Sequence, residues 1–296
     1  MAYQSSISKK ASIMIRNKKI TTSIFIALLL FFSCVKEEIY DTAHPDKGQI
    51  TLVTDWSKKG EGIAAPESYT AQIGDYAVVL KGDHSALPHL FTPETYRMLV
   101  YNPAEKISVK DETATVETTT NGYMESLPGW FFSHAGEVTV EKDRDYTFTA
   151  TMQQQVRELN LWIEPTGGTV NKVGSVTAEL SGGAQQLNLR DGTLRVEKNI
   201  SLTFAKQPDG KYKATARLLG FVSAMPKLTV KIAFAGGSPS EITQDYDLGN
   251  QLKTFNVEKN KPFSLGAQLM EMPTAAGFII TLTDWKTVKE GNGIAD

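Results

Sequence analysis

The segment Tyr146-Thr147-Phe148-Thr149-Ala150-Thr151-Met152 decides the fold of this chain. Its side chains alternate between two chemical kinds, with Tyr, Phe, Ala and Met on one face and three threonines on the other. Alternation with a period of two, built from β-favouring residues, predicts a half-buried strand. The segment therefore predicts a sheet with one face on a hydrophobic core.

The same alternation recurs along the chain in four further clear segments, at residues 200–204, 212–218, 228–234 and 263–269. Weaker strand candidates are 50–54, 69–73, 76–80, 97–101, 130–133, 138–140, 159–163, 176–180 and 278–282. Turn signals separate them, including Pro128-Gly129, Gly182-Gly183 and Pro208-Asp209-Gly210. No amphipathic run of helical period exceeds about two turns, so the pattern predicts an all-β protein.

About fourteen short strands are too many for one ordinary β-sandwich, so we predict two in tandem. Gln153-Gln154-Gln155 interrupts the alternation, and we place the boundary there. The predicted organisation is a signal peptide at 1–33, a tether at 34–48, a first sandwich at 49–154 and a second at 155–296. The single cysteine, Cys34, allows no internal disulfide, so the folded part must depend on its hydrophobic cores.

The N-terminal segment Ser23–Glu38, SIFIALLLFFSCVKEE, has the order of a secretory signal. Arg16, Lys18 and Lys19 precede an apolar run, and Ser33 is a small residue just before Cys34. The segment resembles a bacterial lipoprotein signal, which implies cleavage before Cys34 and acylation of its thiol. Phe31 stands where that signal usually has leucine, and either Met1 or Met14 could be the start.

A transmembrane anchor is the alternative for this segment. The apolar run from Ile24 to Phe32 is shorter than the roughly 20 residues that a spanning helix needs. Lys36-Glu37-Glu38 follows the cysteine closely and resembles the surface-export signal of Bacteroidales-type lipoproteins. A solvated start of the tether is its plainer interpretation.

The charge balance argues against nucleic acid as a partner. The chain has 31 basic and 33 acidic residues, and the signal removes five basic residues and no acidic ones. The mature chain thus carries 26 basic against 33 acidic residues, a net charge of −7. Such a chain is repelled by phosphate backbones and anionic lipid surfaces, so membrane attachment would depend on acyl chains.

No pattern in the sequence predicts catalysis, a cofactor or a metal site. The four histidines, at 44, 84, 89 and 134, lack zinc-ligand spacing and are interpreted as exposed loop residues. The acidic pairs Asp143/Asp145 and Asp245/Asp247 could catalyse glycoside hydrolysis or bind calcium, but such pairs more often lie at the solvent-exposed end of a hairpin. We predict that the protein is not an enzyme.

The four tryptophans offer a second class of function, glycan binding. Trp130 and Trp162 lie in strongly apolar segments and are predicted to be buried. Trp56 and Trp285 each end a Thr-Asp-Trp triplet at the end of a predicted strand. They are the possible ligand platforms of a surface glycan-binding lipoprotein, and rim packing of a sandwich is the simpler alternative.

The order of segments resembles one family along almost the whole mature chain. A lipoprotein signal is followed by YRMLVYNP (96–103), YTFTATMQQQVRELNLWI (146–163) and a closing GFIITLTDW (277–285). This order resembles the fimbrillin superfamily of Bacteroidales-type bacteria, and within it the FimB-type fimbrillin-anchor lipoproteins. The resemblance implies two transthyretin-like, Greek-key β-sandwiches and a structural or anchoring role in a pilus at the outer membrane. Its implied partners are other fimbrial subunits.

One observation favours an anchor over a stalk subunit. Stalk subunits of that family lose an N-terminal strand to an arginine-specific protease, and the groove accepts a strand from the next subunit. Between Cys34 and Tyr96 this chain has no arginine. It would therefore keep its lipid and first strand, and bind its neighbour by strand addition elsewhere. The C-terminal segment from Gly277 is the candidate, because terminal strands exchange most easily.

Overall fold

The computed structural model describes residues 39–236, 239–274 and 277–288. The chain is nearly all β, with 59% strand and 3% helix, which confirms the predicted fold class. The described residues from 44 onward form one compact unit, and residues 39–43 precede it. The predicted signal, Cys34 and Lys36-Glu37-Glu38 lie outside the described residues. No described helix is long and apolar enough to cross a bilayer.

The strands are numbered from the N-terminus to the C-terminus. They are β1 Gly48–Asp55, β2 Ser68–Ile73, β3 Tyr76–Lys81, β4 His84–Phe91, β5 Glu94–Tyr101, β6 Ile107–Lys110, β7 Thr113–Val116, β8 Phe132–Val140, β9 Arg144–Thr151, β10 Gln153–Gln154, β11 Arg157–Pro165, β12 Val173–Asn188, β13 Leu194–Lys206, β14 Tyr212–Leu218, β15 Lys227–Phe234, β16 Glu241–Asp247, β17 Phe263–Thr274, β18 Gly277–Leu282 and β19 Lys286–Thr287. A 3₁₀ turn, Gly167–Thr169, and a short helix α1, Gly249–Leu252, interrupt them.

Two sheets face each other across a first core. One has the order β4-β1-β9 and the other the order β10-β8-β5-β2-β3. In β1 every second side chain is buried, and Ile50 and Leu52 are fully enclosed. They pack with Tyr69 of β2 and Phe132 of β8 in the opposite sheet, and with Phe91 of β4. The period-two pattern of the sequence thus becomes the inner face of a sandwich.

The third sheet is larger and encloses a second core. Its strand order is β16-β15-β12-β13-β14-β11-β17-β18, with β7 on β12, β6 on β7 and β19 on β17. The buried faces of these strands supply Leu161, Ile200, Leu228 and Leu265. The short helix α1 adds Leu252 to the same core.

The two cores do not separate at one point of the chain. The hairpin β6–β7 and the segment after it come from the first half, but Ala114, Val116, Met124 and Phe131 belong to the second core. Strand β7 pairs with β12, with Ala114 opposite Leu187. The hairpin β6–β7, from the first half of the chain, thus completes the second sheet. The domain boundary between residues 154 and 155 stays a prediction.

Two loop predictions were wrong. His84 and His89 do not lie in a loop with Pro88, because all three belong to strand β4. The register against β1 shifts between Gln49 and Thr51, so Pro88 sits at a bulge of an edge strand, where a missing N–H is tolerated. His134 is half-buried in β8, with its ring edge against Phe148, and is not a loop residue either.

Gly182-Gly183 is not a turn between strands but a bulge inside the 16-residue strand β12. The pairing with β13 shifts register between Leu180 and Gly183. Gly182 has a φ of +82°, a left-handed conformation that favours glycine. A bulge residue of this kind bends the strand, so one strand pairs with β15 before the bulge and with β7 after it.

The start of the compact unit is clamped to β9 by a histidine. His44 Nε2 lies 2.9 Å from Asp145 Oδ1, and its Nδ1 lies 3.0 Å from the Lys47 carbonyl oxygen. The hydrogen bond to the Lys47 carbonyl, and then the attraction of Asp145, raise the pKa of His44 above its ordinary value of 6.5. Charged His44 is thus favoured in the folded protein.

The histidine clamp predicts a specific pH dependence. Because folding raises the pKa of His44, protonated His44 stabilises the folded protein. This contribution is complete below pH 6.5 and is lost as the pH rises through the pKa of His44 in the folded protein. We expect Asp145→Asn to lower the pKa of His44 in an NMR titration, but only in part, since the Lys47 carbonyl remains. An unchanged midpoint would show that Asp145 does not act on His44 in solution, and Asp209→Asn is the matched exposed control.

Candidate functional site

Among the residues that the structure describes, strand β18 is paired along one edge. It runs antiparallel to β17, with Leu282 opposite Leu269 and Thr281 opposite Met270. Within the described ranges, no strand is hydrogen-bonded to its other edge, and it ends one side of the large sheet. Strand β16 ends the other side and lies beside it. The backbone edge of β18 that faces β16 is therefore a place where a further strand could pair.

Side chains, not backbone, close the gap between β16 and β18. The Leu282 N–H donates to Gln244 Oε1 at 2.8 Å, and Gln244 Nε2 donates to Thr281 Oγ1 at 3.0 Å. The Tyr246 hydroxyl lies 3.0 Å from the Leu282 carbonyl oxygen and 3.1 Å from Gln244 Oε1, and donates to one at a time. We call Gln244 and Tyr246 the side-chain latch of β18.

The latch tyrosine is a permanent donor. Burial, and then the nearby carboxylate of Asp284, raise the pKa of Tyr246 to about 12. The phenol therefore stays protonated throughout the physiological range. On this edge the latch holds the end of β18 by three side-chain hydrogen bonds instead of a full backbone ladder. Fewer hydrogen bonds must therefore break to displace β18 than to displace a strand that is paired on both edges.

The outer face of the β17–β18 hairpin carries an exposed apolar pair. Met272 and Ile279 are cross-strand partners, and they are 45% and 52% exposed. Large apolar side chains beside an unpaired strand edge are a common feature of protein interfaces. The open edge of β18 and the exposed pair Met272 and Ile279 together form the candidate docking surface.

Trp285 fixes the chain immediately after β18. Its side chain is only 2% exposed, and its ring packs edge-on against Tyr246 with centroids 6.3 Å apart. Gln251 of α1 donates to the Trp285 carbonyl oxygen at 3.1 Å. The buried ring presents no face on which a sugar could stack, so Trp285 acts as an anchor of the C-terminal strand.

The other tryptophans are more accessible but are covered in part. Trp56 is half-buried, with Nε1 3.1 Å from Thr54 Oγ1 and its ring edge-on to Phe132. Trp130 and Trp162, predicted to be buried, are half-buried instead. The guanidinium of Arg217 lies 4.5 Å from the Trp130 ring centre and the amine of Lys213 lies 5.0 Å from that of Trp162. Cations therefore cover one face of each ring.

The first strand is placed quite differently from the last. Strand β1 pairs with β9 along one edge over its whole length, and with β4 along the other edge from Gly48 to Val53, with one bulge. Removing it would break two ladders and expose Ile50 and Leu52. Of the two, β18 and not β1 has an edge that no other described strand pairs with.

A second polar feature lies where the two cores meet. Gln154 is 6% exposed, and it accepts from the Gly60 N–H at 2.8 Å and donates to the Val156 and Lys259 carbonyl oxygens at 2.8 and 2.7 Å. Arg157, which is 5% exposed, donates to the carbonyl oxygens of Thr254, Phe255 and Lys261. These two side chains bind the loop 254–262 to the middle of the chain.

The predicted acidic pairs belong neither to the side-chain latch of β18 nor to the polar contacts of Gln154 and Arg157. Asp245 and Asp247 point to the exposed face of β16, and Asp145 is engaged with His44. Among the described residues, no three histidine, cysteine or acidic side chains lie close enough together to hold a metal ion.

The fold is shared with several solved proteins of Bacteroidales. A protein assigned as an adhesin from Bacteroides ovatus aligns with a TM-score of 0.59 and 12% identity over 83% of this chain and 96% of its own. The fimbrial anchor protein Mfa2 from Porphyromonas gingivalis aligns with a TM-score of 0.56 and 10% identity over 80% of this chain and 96% of its own. A protein from Bacteroides thetaiotaomicron assigned to polysaccharide binding gives a TM-score of 0.53 and 10% identity over 83% and 99%.

At these identities the similarity shows a common fold. No family model matches the sequence, and no curated protein matches it significantly.

Proposed function

We propose that this chain is a cell-surface lipoprotein that serves as a structural or anchoring subunit of a fimbrium, as in the FimB-type anchors. It binds the next subunit by β-strand addition. The observation that carries the proposal is strand β18, which has one unpaired edge, a side-chain latch and an exposed apolar pair. An open edge with exposed apolar side chains beside it is a surface on which another chain can add a strand.

Two further observations support this function. The fold is one that a fimbrial anchor and proteins assigned as adhesins also have. The sequence supplies an attachment point in Cys34, with Lys36, Glu37 and Glu38 as the export signal. Acyl chains on Cys34 would hold the protein in the outer membrane, since two or more chains give stable anchoring.

Lipid attachment and surface exposure are tested together on whole cells. We expect labelled palmitate to enter the chain through Cys34, and Cys34→Ala to abolish the label. Protease added outside the cells should remove the wild-type protein. A labelled protein that resists external protease would face the periplasm, and the anchoring role would then be wrong.

Strand addition is tested by following a fluorescent peptide of residues 277–288 as it enters the full-length protein. We expect Gln244→Ala to speed incorporation about thirtyfold, because it removes two hydrogen bonds of about 1 kcal/mol each from the latch. Gln185→Ala, which removes hydrogen bonds to Val116 and Thr118 at a distant site, is the matched control. Equal rates in both variants, or no incorporation, would show that β18 is not the exchanged strand.

A further inference from the structure

A polar cleft lies between the two cores, away from β18. It has a volume of about 420 Å³, and its walls include Lys58, Gln153, Gln155 and Asn260. A smaller cavity of about 230 Å³ adjoins it, with Trp130 and Pro262 in its lining. Both cavities have Gln154 and Asn260 in their walls, so they lie side by side, and we call the two cavities together the groove. Its volume falls within the range of about 300–1,000 Å³ typical of small-molecule sites.

The groove is built from three distant parts of the chain, which the two buried side chains hold together. Gln154 joins the loop after β1 to the loop before β17, through Gly60 and Lys259. A Cβ atom on residue 60 would lie 2.8 Å from the Asn260 carbonyl oxygen, so the two loops approach as closely as glycine allows. Arg157 fixes the remainder of the second loop. The walls are therefore preorganised, which lowers the cost of binding.

Several polar groups in the groove are available to a ligand. The side-chain amides of Gln153 and Asn260 make no hydrogen bond within the part of the chain that the structure describes, and neither does the amine of Lys58. The Lys259 amine reaches Gln155 Oε1 only at 3.5 Å, and burial lowers the pKa of Lys259 to about 8. Amides offer both donors and acceptors, which suits hydroxyl groups, since these also do both.

The charge of the groove selects against ionic ligands. Lys58, Lys259 and Glu258 line the larger cavity, and Glu61 and Glu158 line the smaller one. Arg157 is buried, and its Nε and Nη1 donate to carbonyl groups. Neither sign dominates, so a phosphate or a polyanion has no cluster of cations to bind.

A peptide strand is also a poor match. Strand addition needs a row of backbone N–H and C=O groups, and the strand at this groove, β10, has only two residues. Amide side chains beside the ring of Trp130 instead match a ligand with hydroxyl edges and apolar C–H faces. We propose that this groove binds a short neutral oligosaccharide, with Gln153 and Asn260 donating to and accepting from its hydroxyl groups.

The test is calorimetric titration of the full-length protein with maltohexaose, cellohexaose and chitohexaose, and with a heparin hexasaccharide as the anionic probe. We expect at least one neutral hexasaccharide to bind, and Asn260→Ala and Gln153→Ala each to weaken its Kd about fivefold, as loss of one hydrogen bond predicts. Asn121→Ala, an exposed amide in a distant turn, should leave the Kd unchanged.

Two results would overturn the proposal. One is the absence of binding by all three neutral probes at millimolar concentration, or binding by heparin alone. The other is binding that Asn121→Ala weakens as much as Asn260→Ala does. Because no residue of β18 lines either cavity, either result leaves the fimbrial role to its own tests.

Discussion

Arg157→Ala is expected to lower the free energy of unfolding by about 3 kcal/mol or more, because each buried acceptor left without its donor costs about 1–3 kcal/mol. The substitution removes the donors that satisfy the carbonyl groups of Thr254, Phe255 and Lys261. It also removes a guanidinium that lies 5.2 and 5.0 Å from the ring centres of Phe255 and Phe263. Urea unfolding, followed by tryptophan fluorescence, measures the loss.

Two variants separate the causes of this effect. Arg157→Met keeps most of the apolar stem between the two rings but supplies no donor, so it should remain destabilised if the hydrogen bonds dominate. Arg195→Ala, at an exposed arginine of β13, is the matched control and should change stability by less than about 0.5 kcal/mol. Similar stability for Arg157→Ala and Arg195→Ala would contradict the structural role of Arg157.

Trp285→Ala is expected to cost about 3–5 kcal/mol, as truncation of a fully buried aromatic side chain does. The cavity would open where the ring meets Tyr246, next to the latch of β18. We therefore expect the C-terminal strand to detach more often than the rest of the protein unfolds. Trypsin cleavage after the exposed Lys286, compared with global unfolding by urea, measures the two separately.

The control is Trp162→Ala, which removes a half-buried ring from the outer side of β11. We expect a cost of about 1 kcal/mol and no faster cleavage after Lys286. If Trp285→Ala speeds cleavage only as much as it lowers global stability, then β18 does not open as a separate unit. The strand-addition mechanism would lose its structural basis.

The sequence predicts the strands whose alternation is complete and fails where the backbone departs from regular pairing. Strands β1 and β9 follow from their pattern, because every second side chain meets the same core. Strand β4 does not, because its bulge at Pro88 shifts the period and its exposed histidines resemble a loop. A bulge depends on the partner strand, which no single segment reveals.

The candidate sites were only partly visible in the sequence. The C-terminal strand was predicted from Gly277, but the latch joins Gln244 and Tyr246 to residues almost forty positions away. Arg157 could have been found, because it falls on the same face as Leu159, Leu161 and Ile163. An arginine on the buried face of a strand predicts a buried cation with several acceptors. The burial of Trp285 depends on α1 and β16, so its role was not predictable from its neighbours.

The pairing of β7 with β12 has a mechanical consequence for a protein that carries load. The backbone passes between the two cores three times, after β5, before β8 and after β10. Pulling the first core away would load the β6–β7 hairpin through the first two crossings. The β7–β12 ladder, from Thr113 opposite Asn188 to Thr115 opposite Gln186, would resist removal of that hairpin from the second core. Tension applied to such a protein is shared among several connections between the two cores, so the two cores resist extension together and not as independent domains joined by a flexible linker.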